Sequence, residues 1–339
     1  MLPYLAVVLA AVCFGTTGTA QAFGPADASA TSIGAARILI GGGMLAAIAL
    51  VALALRRRTA RTARTATTAT TATTSATAAT GTAMPRHRSL PSWLLVAIGA
   101  LGVLAYQPAF FAGTSLNGVA VGTVVALGSA PILTGLLDWL LRRRFPGLVW
   151  LVATLIATAG VVLISGLLAP GASTGAPAST ASALASPETG ISLPGLLCSV
   201  AAGASYAVYT LASKSLLERG WAPTSTMGAV FGVAAALSIP LLATTDTAWL
   251  TTASGLTMAL WLGVVTTAVA YVLFGWGLAR LPAATVSTLT LAEPLTATLL
   301  GTIVLGELLS PMAIAGLVVL AAGLIVLTIP RRRVPSVAA

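Results

Sequence analysis

Residues 282–330 read PAATVSTLTLAEPLTATLLGTIVLGELLSPMAIAGLVVLAAGLIVLTIP. Two apolar segments, each long enough to cross a bilayer as a helix, flank a short turn running from Gly306-Glu307 to Ser310-Pro311. Glu293 lies midway along the first segment and is followed by Pro294. An acid at that position is costly unless it faces protein, water or a substrate.

The pattern occurs once before. Residues 122–165 read GTVVALGSAPILTGLLDWLLRRRFPGLVWLVATLIATAGVVLIS. With Pro131 laid on Pro294, Gly160 falls on Gly323, Ala130 on Glu293 and Arg144 on Glu307 without a gap. The chain reads as duplicated, with the acid carried by the later copy.

Working outward, the 339 residues are 57% hydrophobic and only 7% charged, with a mean hydropathy of +0.99. Soluble domains carry about 25% charged residues, so the expected class is an all-α polytopic membrane protein. Segments of about 20 apolar residues span as helices. Ten are found, at approximately 3–23, 32–55, 92–114, 119–141, 147–168, 193–215, 223–243, 255–278, 283–305 and 311–329. The N-terminal segment ends in Ala20-Gln21-Ala22 but lacks the basic start of a secretory signal, and is read as a retained first helix.

The net charge of +10 does not indicate nucleic acid, because the basic residues cluster between spans. Arg56, Arg57, Arg58, Arg61, Arg64, Arg86 and Arg88 follow the second span, and Arg142, Arg143 and Arg144 the fourth. Lys214 and Arg219 close the sixth, Arg280 the eighth, and Arg331, Arg332 and Arg333 the tenth. The alternate loops carry only Asp27, Glu188, Asp246 and Glu307. The positive-inside rule then places both termini in the cytoplasm of a cell with the chain in its cytoplasmic membrane.

Two low-complexity stretches interrupt the spans. Residues 59–83 are mostly Thr and Ala, and the whole 59–91 loop is expected to be disordered. Residues 169–192 read as an extracytoplasmic linker between one half, 1–168, and a second, 193–330, with a cytoplasmic tail at 331–339. Five helices per half is an odd number, so homologous halves enter the membrane in opposite senses. Ten helices as two inverted five-helix repeats is a secondary-transporter architecture, with the substrate site near the midplane. Glu293 lies about ten residues into its helix, roughly 15 Å deep at 1.5 Å per residue, near the middle of a core of about 30 Å.

These residues resemble the ten-helix, EamA-type branch of the drug/metabolite transporter superfamily. The resemblance rests on the paired halves, Ala36-Arg37-Ile38, Ser129-Ala130-Pro131, Ala292-Glu293-Pro294, the Leu305-Gly306-Glu307 turn, and Gly160 with Gly323. It covers nearly the whole chain. Two departures are Arg142-Arg143-Arg144-Phe145, where the family often shows a Gly-Glu turn, and the Thr/Ala insert. The resemblance implies a cavity lined by spans one to four and six to nine. It also implies transport of small metabolites, often amino acids, commonly outward.

Glu293 could bind an amine or exchange a proton; the alternative is a structural acid bonded to a neighbouring helix. Pro294 lacks a backbone N–H and frees a carbonyl one turn earlier, near Thr290; it and Pro131 are candidate helix breaks or hinges. Arg37 is the basic residue outside the cytoplasmic clusters. It could bind a carboxylate bidentately, or be a snorkelling or ion-paired arginine at the outer interface. Together Arg37 and Glu293 would suit a zwitterion. Gln107 with Tyr106 in the third span, Tyr206 and Tyr209 in the sixth, and Tyr271 in the eighth complete the candidate pathway. Their alternative is helix packing.

Asp138–Arg142 and Lys214–Glu218 are spaced for interfacial ion pairs, and Trp93, Trp139, Trp150, Trp221 and Trp249 for an aromatic belt. Cys13 and Cys198 lie in apolar spans and suit burial rather than a disulfide. The single histidine, His87, has no second ligand nearby, so neither a metal nor another cofactor is expected. No HExxH motif, clustered Asp or P-loop is present, which argues against an enzyme and against ATP-driven transport. The expected partners are a small-molecule substrate and membrane lipids. Protons could couple to transport, a passive facilitator is the alternative, and the chain could pair as a homodimer.

Overall fold

A computed structural model of the chain describes residues 1–68, 90–167 and 192–328. Among them it is helical throughout, without a strand. The helices are α1 (Leu2–Ala22), α2 (Ala30–Thr68), α3 (Ser92–Arg142), α4 (Leu148–Ile164), α5 (Leu193–Glu218) and α6 (Pro223–Ala243). They continue with α7 (Ala253–Gly263), α8 (Ala270–Leu278), α9 (Ala283–Leu289), α10 (Ala292–Leu305) and α11 (Pro311–Thr328). A π-helical turn, Val264–Val269, joins α7 to α8 without interrupting the rod. Eight helical stretches are long and apolar enough to cross a membrane, and Leu148–Ile164 is a shorter apolar helix.

Three local features depart from simple rods or from the expected helix bounds. The 51 residues of α3 would extend about 75 Å at 1.5 Å per residue, far beyond a hydrocarbon core of about 30 Å. The helix kinks instead at Gly118, whose φ of 78° and ψ of 156° favour a residue without Cβ. That kink falls between the apolar segments 92–114 and 119–141. Asn117, beside it, donates from Nδ2 to the Ser192 carbonyl at 3.0 Å and accepts the Ser192 amide at 2.7 Å. The kink is thereby tied to the start of α5.

The second departure is in α2. Disorder was expected from residue 59, yet the helix runs through Arg56, Arg57 and Arg58 to Thr68. Ala and Arg are strong helix formers, and extending a helix that is already nucleated is cheap. The rest of that loop, the linker before Ser192 and the C-terminal tail lie outside the described residues.

The third lies between α9 and α10. Pro294 cannot donate to Thr290 in the α-helical pattern. The Thr290 carbonyl is taken instead by the Glu293 amide, three residues on, at 2.9 Å, and Leu291 bonds Thr288 likewise at 3.1 Å. The carbonyl freed by the proline is therefore satisfied locally. Pro131, by contrast, sits inside α3 without non-helical backbone.

Packing follows small residues. α3 lies along α5, α2 along α6, α4 along α11, and α1 against α8 and α10. A Cβ on Gly160 would meet the Leu320 backbone at 2.4 Å, and one on Gly323 the Ala157 backbone at 2.6 Å. Without a hydrophobic driving force between helices in lipid, such close approach is what gains dispersion energy. Two tryptophans expected in an interfacial belt are buried instead. Trp150 donates to the Ala284 carbonyl at 3.0 Å and to Thr288 Oγ1 at 3.1 Å, clasping α4 to α9. Trp249 donates to Ser32 Oγ at 2.8 Å. Trp93 and Trp139 are exposed, as a belt requires.

Candidate functional site

Arg37 stands about two turns into α2 and points across to the π-helical turn. Its Nε donates to Thr267 Oγ1 at 3.0 Å and its Nη2 to the Thr266 carbonyl at 3.1 Å. The π-turn supplies that carbonyl, because the Ala270 amide bonds Val265 and Thr267 rather than Thr266. The Thr266 and Thr267 hydroxyls both donate to the Leu262 carbonyl, at 2.8 and 2.9 Å. Thr267 Oγ1 thus has only its lone pairs for Arg37. Gly41, one turn beyond Arg37, permits the approach: a Cβ there would lie 2.4 Å from Thr267 Cβ.

Glu293 is presented by the α9–α10 break. Its carboxylate accepts no hydrogen bond and forms no ion pair with a described residue, although the break around it is held firmly. Thr290 gives its hydroxyl hydrogen to the Ser287 carbonyl at 2.8 Å, so the 3.0 Å contact with Tyr206 Oη must be donated by the tyrosine. On the adjoining wall Tyr209 and Tyr271 share a hydroxyl–hydroxyl bond of 3.0 Å. Tyr271 also stacks at an angle on Phe231, centroids 4.0 Å apart, and on Phe14 at 5.1 Å. Tyr106 lies parallel to Phe110 at 5.8 Å. Gln107 covers Gly34 and hydrogen-bonds to no described residue.

These side chains converge. Arg37, Glu293, Gln107 and the four tyrosines Tyr106, Tyr206, Tyr209 and Tyr271 all line one cavity of about 70 Å³. At roughly 10–15 Å³ per water, it has room for several waters or one small solute. Pro131 and Pro294 are not in its lining, but their neighbours Ala130 and Glu293 are. Arg37, on α2, and Glu293, on α10, line the same space and no ion pair joins them. The arrangement combines an oriented guanidinium, an unpartnered carboxylate and aromatic walls. It can hold a small solute carrying both charges, or pass a proton at Glu293.

Some lining residues were not singled out in the sequence. Phe14, Phe231 and Val103 carry no signal that separates a cavity wall from core. The Thr266-Thr267 pair, which holds Arg37 without lining the cavity, does carry one, as two adjacent hydroxyls in the middle of an apolar span, but a partner cannot be read from it.

Asp138, Arg142, Lys214 and Glu218 gather outside the cavity lining. Arg142 bonds Asp138 on its own helix, and through Nη1 reaches Glu218 Oε1 on α5 at 2.7 Å. Lys214 behaves differently from its spacing. Its Nζ donates to the Leu278 and Leu281 carbonyls, at 2.9 Å each, and only approaches Glu218 at 3.9 Å. It caps the C-terminal end of α8, where a cation is favoured.

Comparison with known proteins agrees with this architecture. The chain is 36% identical over 329 residues to an uncharacterized transporter, YwfM, of Bacillus subtilis (strain 168), covering 97% of this chain and 94% of that protein. A solved crystal structure with 19% sequence identity superposes with a TM-score of 0.68 over 96% of each chain, which shows a shared fold. The model of the EamA-like transporter family matches residues 1–166 and 193–329. A multi-pass chain, all-helical among its described residues and matched along nearly its whole length by that model, leaves one conclusion: the chain belongs to the EamA-like transporter family.

Proposed function

We propose that this membrane transporter is a secondary exporter of a small zwitterionic metabolite, an amino acid or a related compound. The observation that carries the reading is a cavity lined from both halves of the chain, with Arg37 and Glu293 facing it and unpaired with each other. A carboxylate would meet Arg37 and an ammonium group Glu293. Proton exchange at Glu293 would couple transport to the gradient, and Pro131 and Pro294 would serve as hinges.

The proposed topology is ten crossings as two inverted five-helix halves, 1–168 and 193–330, in the cytoplasmic membrane with both termini inside. Splitting α3 at Gly118 and counting the shorter α4 brings eight stretches to ten. The packing supports two related halves. Helix α1 packs on α8 and α10, as α5 packs on the two parts of α3, while α2 meets α6 and α4 meets α11. The family match to 1–166 and to 193–329 divides the chain in the same place.

The test is export of an amino-acid panel from cells expressing wild type, Glu293→Gln and Arg37→Ala at matched membrane levels, with and without a protonophore. Export by wild type that the protonophore stops and both variants lose is the expected result. Normal export by Glu293→Gln would make the acid structural. Flux indifferent to the protonophore would indicate a passive facilitator. Absence of amino-acid movement would overturn the substrate class.

A further inference from the structure

A π-helical turn costs hydrogen-bond geometry and tends to occur at functional sites. Here it does one identifiable thing. In a regular helix the Thr266 carbonyl would accept the Ala270 amide; in the π-turn that amide goes to Val265 and Thr267. The Thr266 carbonyl is released toward α2, and Arg37 Nη2 takes it at 3.1 Å. A backbone carbonyl left unpaired inside a membrane is costly, because no water is there to bond it. Arg37 therefore completes the π-turn, and the π-turn fixes Arg37.

A guanidinium has five N–H donors. The protein engages one on Nε and one on Nη2. Nε and Nη2 belong to one edge of the guanidinium plane, and Nη1 bonds no described residue. The fork formed by Nη1 and the second Nη2 hydrogen is left for the cavity that Arg37 lines. That fork matches the two oxygens of a carboxylate in a bidentate pair.

We propose that the Thr266–Thr267 π-turn is the positioning element of a carboxylate site, with Thr267 as the positioning residue that aims Arg37. This rests on the reading of Arg37 as a cargo anchor. Neither threonine needs to touch the cargo. Thr267 Oγ1 holds Nε, the Thr266 carbonyl holds Nη2, and rotation of the guanidinium about its stem is blocked. A lysine at 37 could not be held in this way, because it has one donor centre and no fork.

The test uses the full chain, purified and reconstituted, as wild type, Thr267→Val, Thr267→Ser and Arg37→Gln. Amide hydrogen exchange over residues 264–270 is followed by mass spectrometry, and amino-acid transport is followed in proteoliposomes. Arg37→Gln is expected to speed exchange in 264–270 while leaving other helices unchanged. Thr267→Val should raise KM about tenfold at nearly constant kcat, as for loss of one hydrogen bond to a charged group. Thr267→Ser, which keeps the hydroxyl, should hold KM near the wild-type value. Wild-type KM in Thr267→Val, or wild-type exchange in Arg37→Gln, would overturn the proposal. If wild type moves no amino acid, the zwitterion reading falls, and the exchange measurement still decides whether the π-turn and Arg37 depend on each other.

Discussion

Tyr206 on α5 donates to Thr290 Oγ1 at 3.0 Å, at the break between α9 and α10. The Thr290 carbonyl in turn receives the amide of Glu293 at 2.9 Å. One phenol thus ties a neighbouring helix to the backbone that presents the cavity's acid. Tyr206→Phe removes that donor from a buried hydroxyl and should cost about 1–2 kcal/mol. Thr290→Val should cost a similar amount, and the double variant less than the two combined. Thermal unfolding of the purified protein reads all three. Strictly additive losses would show that the two residues do not act as a pair.

Pro294 causes the break that Tyr206 holds. Pro294→Ala restores an N–H able to bond the Thr290 carbonyl in the α-helical pattern, and proline is about 3 kcal/mol worse than alanine inside a helix. The variant should be at least as stable as wild type yet transport less, because straightening the helix moves the Glu293 side chain. Unfolding temperature and export at matched expression are the measurements. Full export would show that the break is dispensable.

The glycines separate into close contacts and open sites. A Cβ on Gly135 would lie 2.1 Å from the Trp150 ring, whereas nothing lies within 4 Å of one on Gly43. Gly135→Ala should therefore destabilise by about 1–3 kcal/mol through overpacking. Gly43→Ala should stabilise by roughly 0.5–1 kcal/mol, since helical glycine costs backbone entropy. Opposite shifts in unfolding temperature are expected, and shifts of one sign would contradict the packing.

Lys214 and Glu218 have the spacing of a symmetrical ion pair but unequal roles. Lys214→Met leaves the Leu278 and Leu281 carbonyls without their donor, and should cost roughly 2–3 kcal/mol. Glu218 is exposed, its side chain at 42%, so Glu218→Gln should cost under about 1 kcal/mol. Equal losses would mean that the pair, and not the cap, stabilises this end of α8.

The candidate residues were legible because a membrane makes polarity expensive. Arg37, Glu293 and Gln107 each stand alone in an apolar span. Such residues face inward wherever partners or water exist. The tyrosines were legible only by depth and spacing. Misreadings came where composition has two physical outcomes. Trp150 and Trp249 lie near span ends, which suits a belt, but an indole N–H is equally satisfied by a buried carbonyl or hydroxyl. The Thr/Ala stretch looks unable to fold alone, yet its start continues a helix nucleated in the apolar span before it.

By itself, the sequence determined the class, the apolar segments, their charge asymmetry and the isolated polar residues within them. These depend on hydropathy and on local backbone chemistry, including the missing N–H of Pro294 and the conformational freedom of Gly118. Only the tertiary structure decided that Arg37 is held by a π-turn on another helix, that Tyr206 supports Thr290, and that Lys214 caps carbonyls instead of pairing. Each of those contacts joins residues more than sixty positions apart. Helix rotation and register set them, and no single segment contains that information.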